Sequence, residues 1–132
     1  MKQIGRYEII RRLGKGGMGS VYKGIVPVVD KVVAIKLLDP SELMADLLGM
    51  DRLEEIFVFE ARTMASFTQP FLVTAHDFDY DQQGRPFFVM EYICNNLGEM
   101  IGETYQIEQP SRIIRAEKVL HYGRQLLQAL DF

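Results

Sequence analysis

The sequence predicts an α+β protein, a mainly antiparallel five-stranded sheet with one helix packed on it and a helical segment after it. Three observations lead there. Apolar, β-branched runs of strand length recur at residues 7–13, 20–26, 32–38, 71–80 and 87–93. Between the third and fourth runs, residues 51–67 instead space their apolar side chains at helical intervals. Finally, LGKGGMGSVYKG, residues 13–24, packs five glycines into twelve positions, four of them between the first two strands, where a tight reversal is needed.

Each element follows from its residues. YEIIRRL, residues 7–13, predicts a strand, the glycine stretch its turn, and residues 20–26 the returning strand. A glycine costs roughly 0.5–1 kcal/mol against alanine in regular structure. Gly14, Gly16, Gly17, Gly19 and Gly24 therefore need a use that other residues cannot serve, and a bound phosphate is the first candidate. Pro27 and the Asp30-Lys31 pair mark a turn before VVAIKLL, residues 32–38, a buried strand with a lysine inside it. DPSELMADLLGM, residues 39–50, reads as a linker with one short helical turn, and Asp51 as the N-cap of the helix after it. In RLEEIFVFEARTMASF, Leu53, Ile56, Phe57, Met64 and Phe67 share one face at 100° per residue, with Glu60 in the middle of that face. Gln69-Pro70 ends this helix. FLVTAHDFDY and FFVMEYI predict a hairpin about the turn DQQGRP. CNNLGEMIGETYQ carries a weak helical signal, Pro110-Ser111 restarts the chain, and EKVLHYGRQLLQALDF predicts a closing helix.

Composition bounds the function. The chain has 132 residues, 48% hydrophobic and 25% charged, which suits a folded domain and argues against disorder. A net charge of -3 offers no footprint for nucleic acid, and no basic run suggests an anionic membrane. Arg11-Arg12 and the stretch Arg112 to Arg115 read as solvated faces. Cys94 is the single cysteine, which excludes an intramolecular disulfide and favours a reducing compartment; a small core residue is the other reading. The first residues lack a long apolar run, and no later stretch reaches the length needed to cross a bilayer, so a cytoplasmic location is expected.

Two charges occupy positions that the pattern reserves for apolar residues: Lys36 in a buried strand and Glu60 on the inner face of a helix. Pairing offsets much of the cost of burying each, so an ion pair between them is expected. Taken alone it could be purely structural. Beside a glycine turn whose amides can close over phosphate oxygens, it becomes a means of presenting a lysine to the same phosphates. A dinucleotide site also uses G-x-G-x-x-G, and Asp39 lies 20 residues after Gly19, as that fingerprint wants. It requires a helix opening at the glycines, however, and SVYKGIVPVV is poor material for one.

These residues resemble the protein kinases, specifically the bacterial serine/threonine kinases of eukaryotic type. The family pattern G-x-G-x-x-G-x-V appears as Gly14, Gly16, Gly19 and Val21, and V-A-I-K as Val33 to Lys36. The family's helix glutamate matches Glu60 in FEARTMA, FFVMEYI resembles the strand that runs into the hinge, and GGMG is the wording of the bacterial branch. The resemblance implies a kinase-like N-lobe over residues 1–93, with the family's C helix. Residues 94–132 would form the hinge exit and the first helices, D and E, of a larger lobe.

By the same resemblance Lys36 and Glu60 form the catalytic ion pair, the glycines of the turn cover the phosphates of ATP, and Leu13, Gly14, Lys15, Gly16, Gly17, Met18 and Gly19 all belong to the ATP site. Val21 and Ala34 would sandwich the adenine, Met90 would be the gatekeeper, and the backbone of Glu91 and Ile93 would meet the adenine edge. The family uses Mg2+ with ATP, but its metal ligands, its base aspartate and D-F-G match nothing in these residues. DFDY at 77–80 reads as a strand end and HYGR at 121–124 as part of a helix. The chain alone is expected to be inactive and its parent a kinase; the alternative is a pseudokinase-like nucleotide-binding or interaction module. Two departures stand out: a long linker between Lys36 and Glu60, and Gln69 and Phe71 where the family has H-P-N. An uncovered apolar side of the last helix, Val119, Tyr122, Leu126 and Leu130, predicts self-association.

Overall fold

The computed structural model describes residues 2–94 and 115–131. The expected helical signal within residues 95–106 and the restart at Pro110-Ser111 lie outside them. The chain divides into two units, Met1–Thr68 with Val73–Tyr92, and Gln69–Leu72 with Ile93–Phe132.

The first unit is built on a six-stranded sheet. Its strands are β1 (Gln3–Ile4), β2 (Tyr7–Lys15), β3 (Gly19–Val26), β4 (Lys31–Leu38), β5 (Ala75–Tyr80) and β6 (Pro86–Glu91). They lie in the order β1-β2-β3-β4-β6-β5, each antiparallel to its neighbour. The five expected strands are present, and the two-residue β1 is added at the edge, where Ile4 pairs with Tyr7 and is buried.

Register sorts the side chains. Val21 faces Lys36, Lys23 faces Ala34, and on the other side of β4 Lys36 faces Phe88 and Ala34 faces Met90. Directly opposed residues share a face, so Val21, Lys23, Ala34, Lys36, Phe88 and Met90 all point the same way. The alternate residues Val33, Ile35, Leu37, Phe87 and Val89 form a core with Ile4 and Tyr7 on the opposite face. Tyr7 meets Phe87 edge-on at 6.0 Å.

Two helices connect β4 to β5. Helix α1 (Glu42–Leu48) fills part of the expected linker and is capped by the Ser41 hydroxyl, which accepts from the Met44 N–H at 3.3 Å. Helix α2 (Met50–Ala65) buries Leu53, Phe57 and Ala61 against Leu38, Ala75 and Phe88, making a second core on the Lys36 face. The expected N-cap at Asp51 is corrected. Gly49, at φ 77°, serves both helices: its N–H closes α1 on the Ala45 carbonyl and its carbonyl accepts the Leu53 N–H. Asp51 instead sits in the first turn, where a negative charge favours the helix N-terminus. Helix α2 also stops earlier than its pattern predicts, so Phe67 lies beyond it. β5 begins at Ala75 rather than Phe71, and β6 ends at Glu91 rather than Ile93.

In the second unit, α3 (Ala116–Leu130) is the expected closing helix, and Gln69 donates its amide to the Gln128 carbonyl at 2.9 Å. No helix among the described residues is long and apolar enough to cross a membrane. Cys94 is exposed, which removes the reading of it as a core residue.

Candidate functional site

The expected partners meet. Lys36 Nζ donates to both carboxylate oxygens of Glu60, at 2.7 and 2.8 Å. β4 positions the lysine and the middle of α2 the glutamate. Their side chains keep 24% and 36% of their exposure, so the pair lines a surface rather than sitting sealed inside the core. Lys36 Nζ also lies 5.9 Å from the centre of the Phe88 ring.

The glycine turn joins β2 to β3 as a hairpin, with Gly14 paired to Val21 and Lys15 to Ser20. Two irregularities, at Ile9/Arg11 and Arg12/Gly14, bend β2 on the way to the tip. The tip closes through the Gly16 N–H on the Gly19 carbonyl at 2.8 Å. Its glycines divide into two kinds. A Cβ at Gly19 would stand 2.0 Å from the Leu37 carbonyl oxygen, so this glycine is demanded by the β3–β4 contact itself. A Cβ at Gly14 would meet nothing within 4 Å, and at Gly16 only the Gly19 carbonyl at 4.0 Å. The packing of the chain gives no reason for these two. They leave bare backbone facing open space, which a ligand oxygen can approach.

Of the other expected residues, Ala34 is buried, while Val21 and Met90 are half-buried on the Lys36 face. Leu13 is half-buried; Lys15, Gly16 and Gly17 are exposed. Met18 is half-buried and packs against the core under α2. Glu91 is exposed, pairs with Val33 of β4 and donates its N–H to the Thr74 carbonyl at 3.4 Å. Ile93 is exposed and belongs to the second unit. Among the described residues no group of three His, Cys, Asp or Glu could hold a metal ion.

Two residues on this face are not among the expected ones: Phe88, opposite Lys36, and Lys23, opposite Ala34, with Nζ 4.7 Å from the centre of the Tyr92 ring. The sequence does carry a signal for Lys23, since it follows Val21 by two residues and a strand repeats its face every second residue. The two mimics of catalytic motifs are placed as expected. Asp77–Tyr80 belongs to β5, with Asp77 accepting the Tyr7 hydroxyl at 2.7 Å, and His121 lies in α3, exposed. The dinucleotide reading fails on the same ground that weakens it in the sequence. The residues after Gly19 form strand β3, and no helix opens at the glycines.

Comparison with known proteins agrees with this geometry. Residues 7–132 match the family model described as protein kinase domain. Serine/threonine-protein kinase PknD of Chlamydia pneumoniae is 35% identical over 114 residues, covering 86% of this chain and 12% of that protein. Serine/threonine-protein kinase PksC of Streptomyces coelicolor is 33% identical over 132 residues, covering 96% and 22%. The chain therefore spans less than a quarter of the length of these curated relatives. The crystal structure of the Mycobacterium tuberculosis PknI kinase domain superposes with a TM-score of 0.65 at 21% identity. That match covers 98% of this chain and 48% of the other, and shows the shared fold.

Proposed function

The chain belongs to the protein kinase domain family, and on that premise we propose that it is the ATP-binding front portion of a serine/threonine protein kinase. The carrying observation is the Lys36–Glu60 pair at 2.7 and 2.8 Å, on the sheet face that also holds Val21, Ala34 and Met90. A lysine held by a carboxylate presents a fixed positive charge, and apolar side chains beside it suit a flat base. The bare backbone at Gly14 and Gly16 fits phosphate oxygens above them. When bound, ATP and Mg2+ supply the transferable phosphoryl group and its charge neutralisation. This chain's residues orient the phosphates (Lys36, Glu60, Gly14 to Gly19) and seat the adenine (Val21, Ala34, Met90 and the backbone of Glu91).

No residue here matches the family's catalytic base, its metal-binding asparagine or D-F-G, so the 132 residues bind nucleotide weakly and transfer nothing, while the parent phosphorylates protein serine or threonine. A cytoplasmic setting, where ATP and an unpaired Cys94 coexist, goes with this reading. So does self-association through the exposed apolar residues of α3.

Titration of the chain with Mg-ATP by calorimetry tests the reading. Binding should be measurable and should weaken about tenfold or more in Lys36→Ala, which removes a charge-assisted contact to the phosphates. Equal affinity in the two proteins would remove Lys36 from the site.

A further inference from the structure

The glycine turn is held from behind by the segment that follows β4. The Asp39 N–H donates to the Met18 carbonyl at 3.1 Å and the Ser41 N–H to the Gly17 carbonyl at 3.0 Å, extending the β3–β4 ladder past its end and into the turn. Both donors are themselves anchored. Ser41 caps α1, with its hydroxyl accepting from the Met44 N–H at 3.3 Å and its carbonyl from the Ala45 N–H at 3.0 Å. The Asp39 carboxylate lies 3.4 Å from Arg85 Nη1, and Arg85 in turn is paired to Asp81 at 2.7 Å. The first turn of α1 also touches the glycines by packing: a Cβ at Gly17 would lie 3.3 Å from Met44 Cγ.

This contact has a directional consequence. Across a trans peptide the carbonyl of one residue and the N–H of the next point in opposite directions. Fixing the Gly17 and Met18 carbonyls on the linker therefore fixes which way the Met18 and Gly19 N–H groups point, away from the linker. A glycine turn left to itself would rotate these peptide groups freely.

We propose that Asp39–Ser41 form a latch on the glycine turn, and that Ser41 and Met44 are positioning residues for the phosphates, acting through the Gly17 and Met18 peptide groups. The inference rests on the nucleotide reading above. It also gives the long linker between Lys36 and Glu60 a role, because α1 anchors the latch.

The test uses the 132-residue chain and two substitutions at one position. Ser41→Pro deletes the N–H that holds Gly17, at a residue whose φ of -63° already suits proline. Ser41→Ala keeps that N–H and removes only the helix cap. Titration with ATP, ADP and adenosine should show Ser41→Pro losing about three- to tenfold in ATP and ADP affinity, the worth of one hydrogen bond, with adenosine unchanged. Ser41→Ala, which loosens the anchor but keeps the N–H, should lose less than Ser41→Pro and in the same ligands. Equal losses for ATP and adenosine, or no loss in Ser41→Pro, would overturn the positioning role. Should Ser41→Pro fail to melt cooperatively, Met44→Ala carries the test, with a smaller loss confined to the phosphorylated ligands; no loss there overturns the proposal.

Amide exchange of the nucleotide-free chain separates the two readings. Protected Asp39 and Ser41 amides support the latch, and unprotected ones overturn it. Protected amides in a chain that binds no nucleotide would overturn the nucleotide reading, and the phosphate role with it, leaving the contact as a structural one.

Discussion

Asp81 shows how one buried charge can organise a turn. Burial by itself pushes its carboxyl up, but the Arg85 side chain and the backbone N–H groups of Arg85 and Gln83 outweigh that and hold it below the usual aspartate range. A depressed pKa in the folded state means stability that is present above the ordinary aspartate value, about 3.9, and lost as pH falls through the lower folded value. Asp81→Ala should cost about 1.5–3 kcal/mol in urea unfolding at pH 7, with the gap to the unsubstituted chain closing below about pH 4. A gap that persists undiminished at pH 2.5 would show that packing, not charge, holds the turn. The Lys36–Glu60 pair was legible in the sequence because each charge violated an apolar pattern. Asp81 was not, because an aspartate in a turn breaks no pattern, and its partners Gln83 and Arg85 are brought to it by the turn itself.

Among the elements, the glycine hairpin allows two opposite outcomes from one kind of substitution. Gly19→Ala drives a methyl into the Leu37 carbonyl, forces β3 and β4 apart, and should destabilise the chain by about 1–3 kcal/mol. Gly14→Ala meets open space and should leave the melting temperature within the scatter of ordinary surface substitutions, about 0.5 kcal/mol, while weakening ATP binding. Thermal melts of both variants beside a nucleotide titration check the pair; a Gly14→Ala chain that melts early has an internal packing role instead. The strands and α2 were readable from period alone. Helix α1 was legible as little more than a turn because seven residues give too few repeats of a helical period. Its boundary with α2 was hidden because the break depends on Gly49 adopting a positive φ, for which the sequence offered only the glycine itself.

At the scale of the molecule, α3 leaves Val119, Leu126 and Leu130 with 54%, 61% and 76% of their surface exposed. Tyr122, expected on the same stripe, is half-buried and does not belong to the open part. Light scattering at high micromolar concentration should find dimers or larger species, and Leu126→Glu should shift them to monomer; monomer throughout would remove the stripe as a contact surface. The sheet order was harder to read than its strands. Placing β6 rather than β5 beside β4 depends on pairings some fifty residues apart, which no local pattern encodes. That order makes β4 a two-sided central strand, with Val33, Ile35 and Leu37 in one core and Ala34 and Lys36 on the site face. A saturation-mutagenesis scan along β4 that scores cellular abundance and ATP capture separately should therefore give two out-of-phase traces. Odd positions would lose protein, while Lys36 would keep its protein and lose ligand, so that β4 reports its own geometry as a phenotype with a two-residue beat.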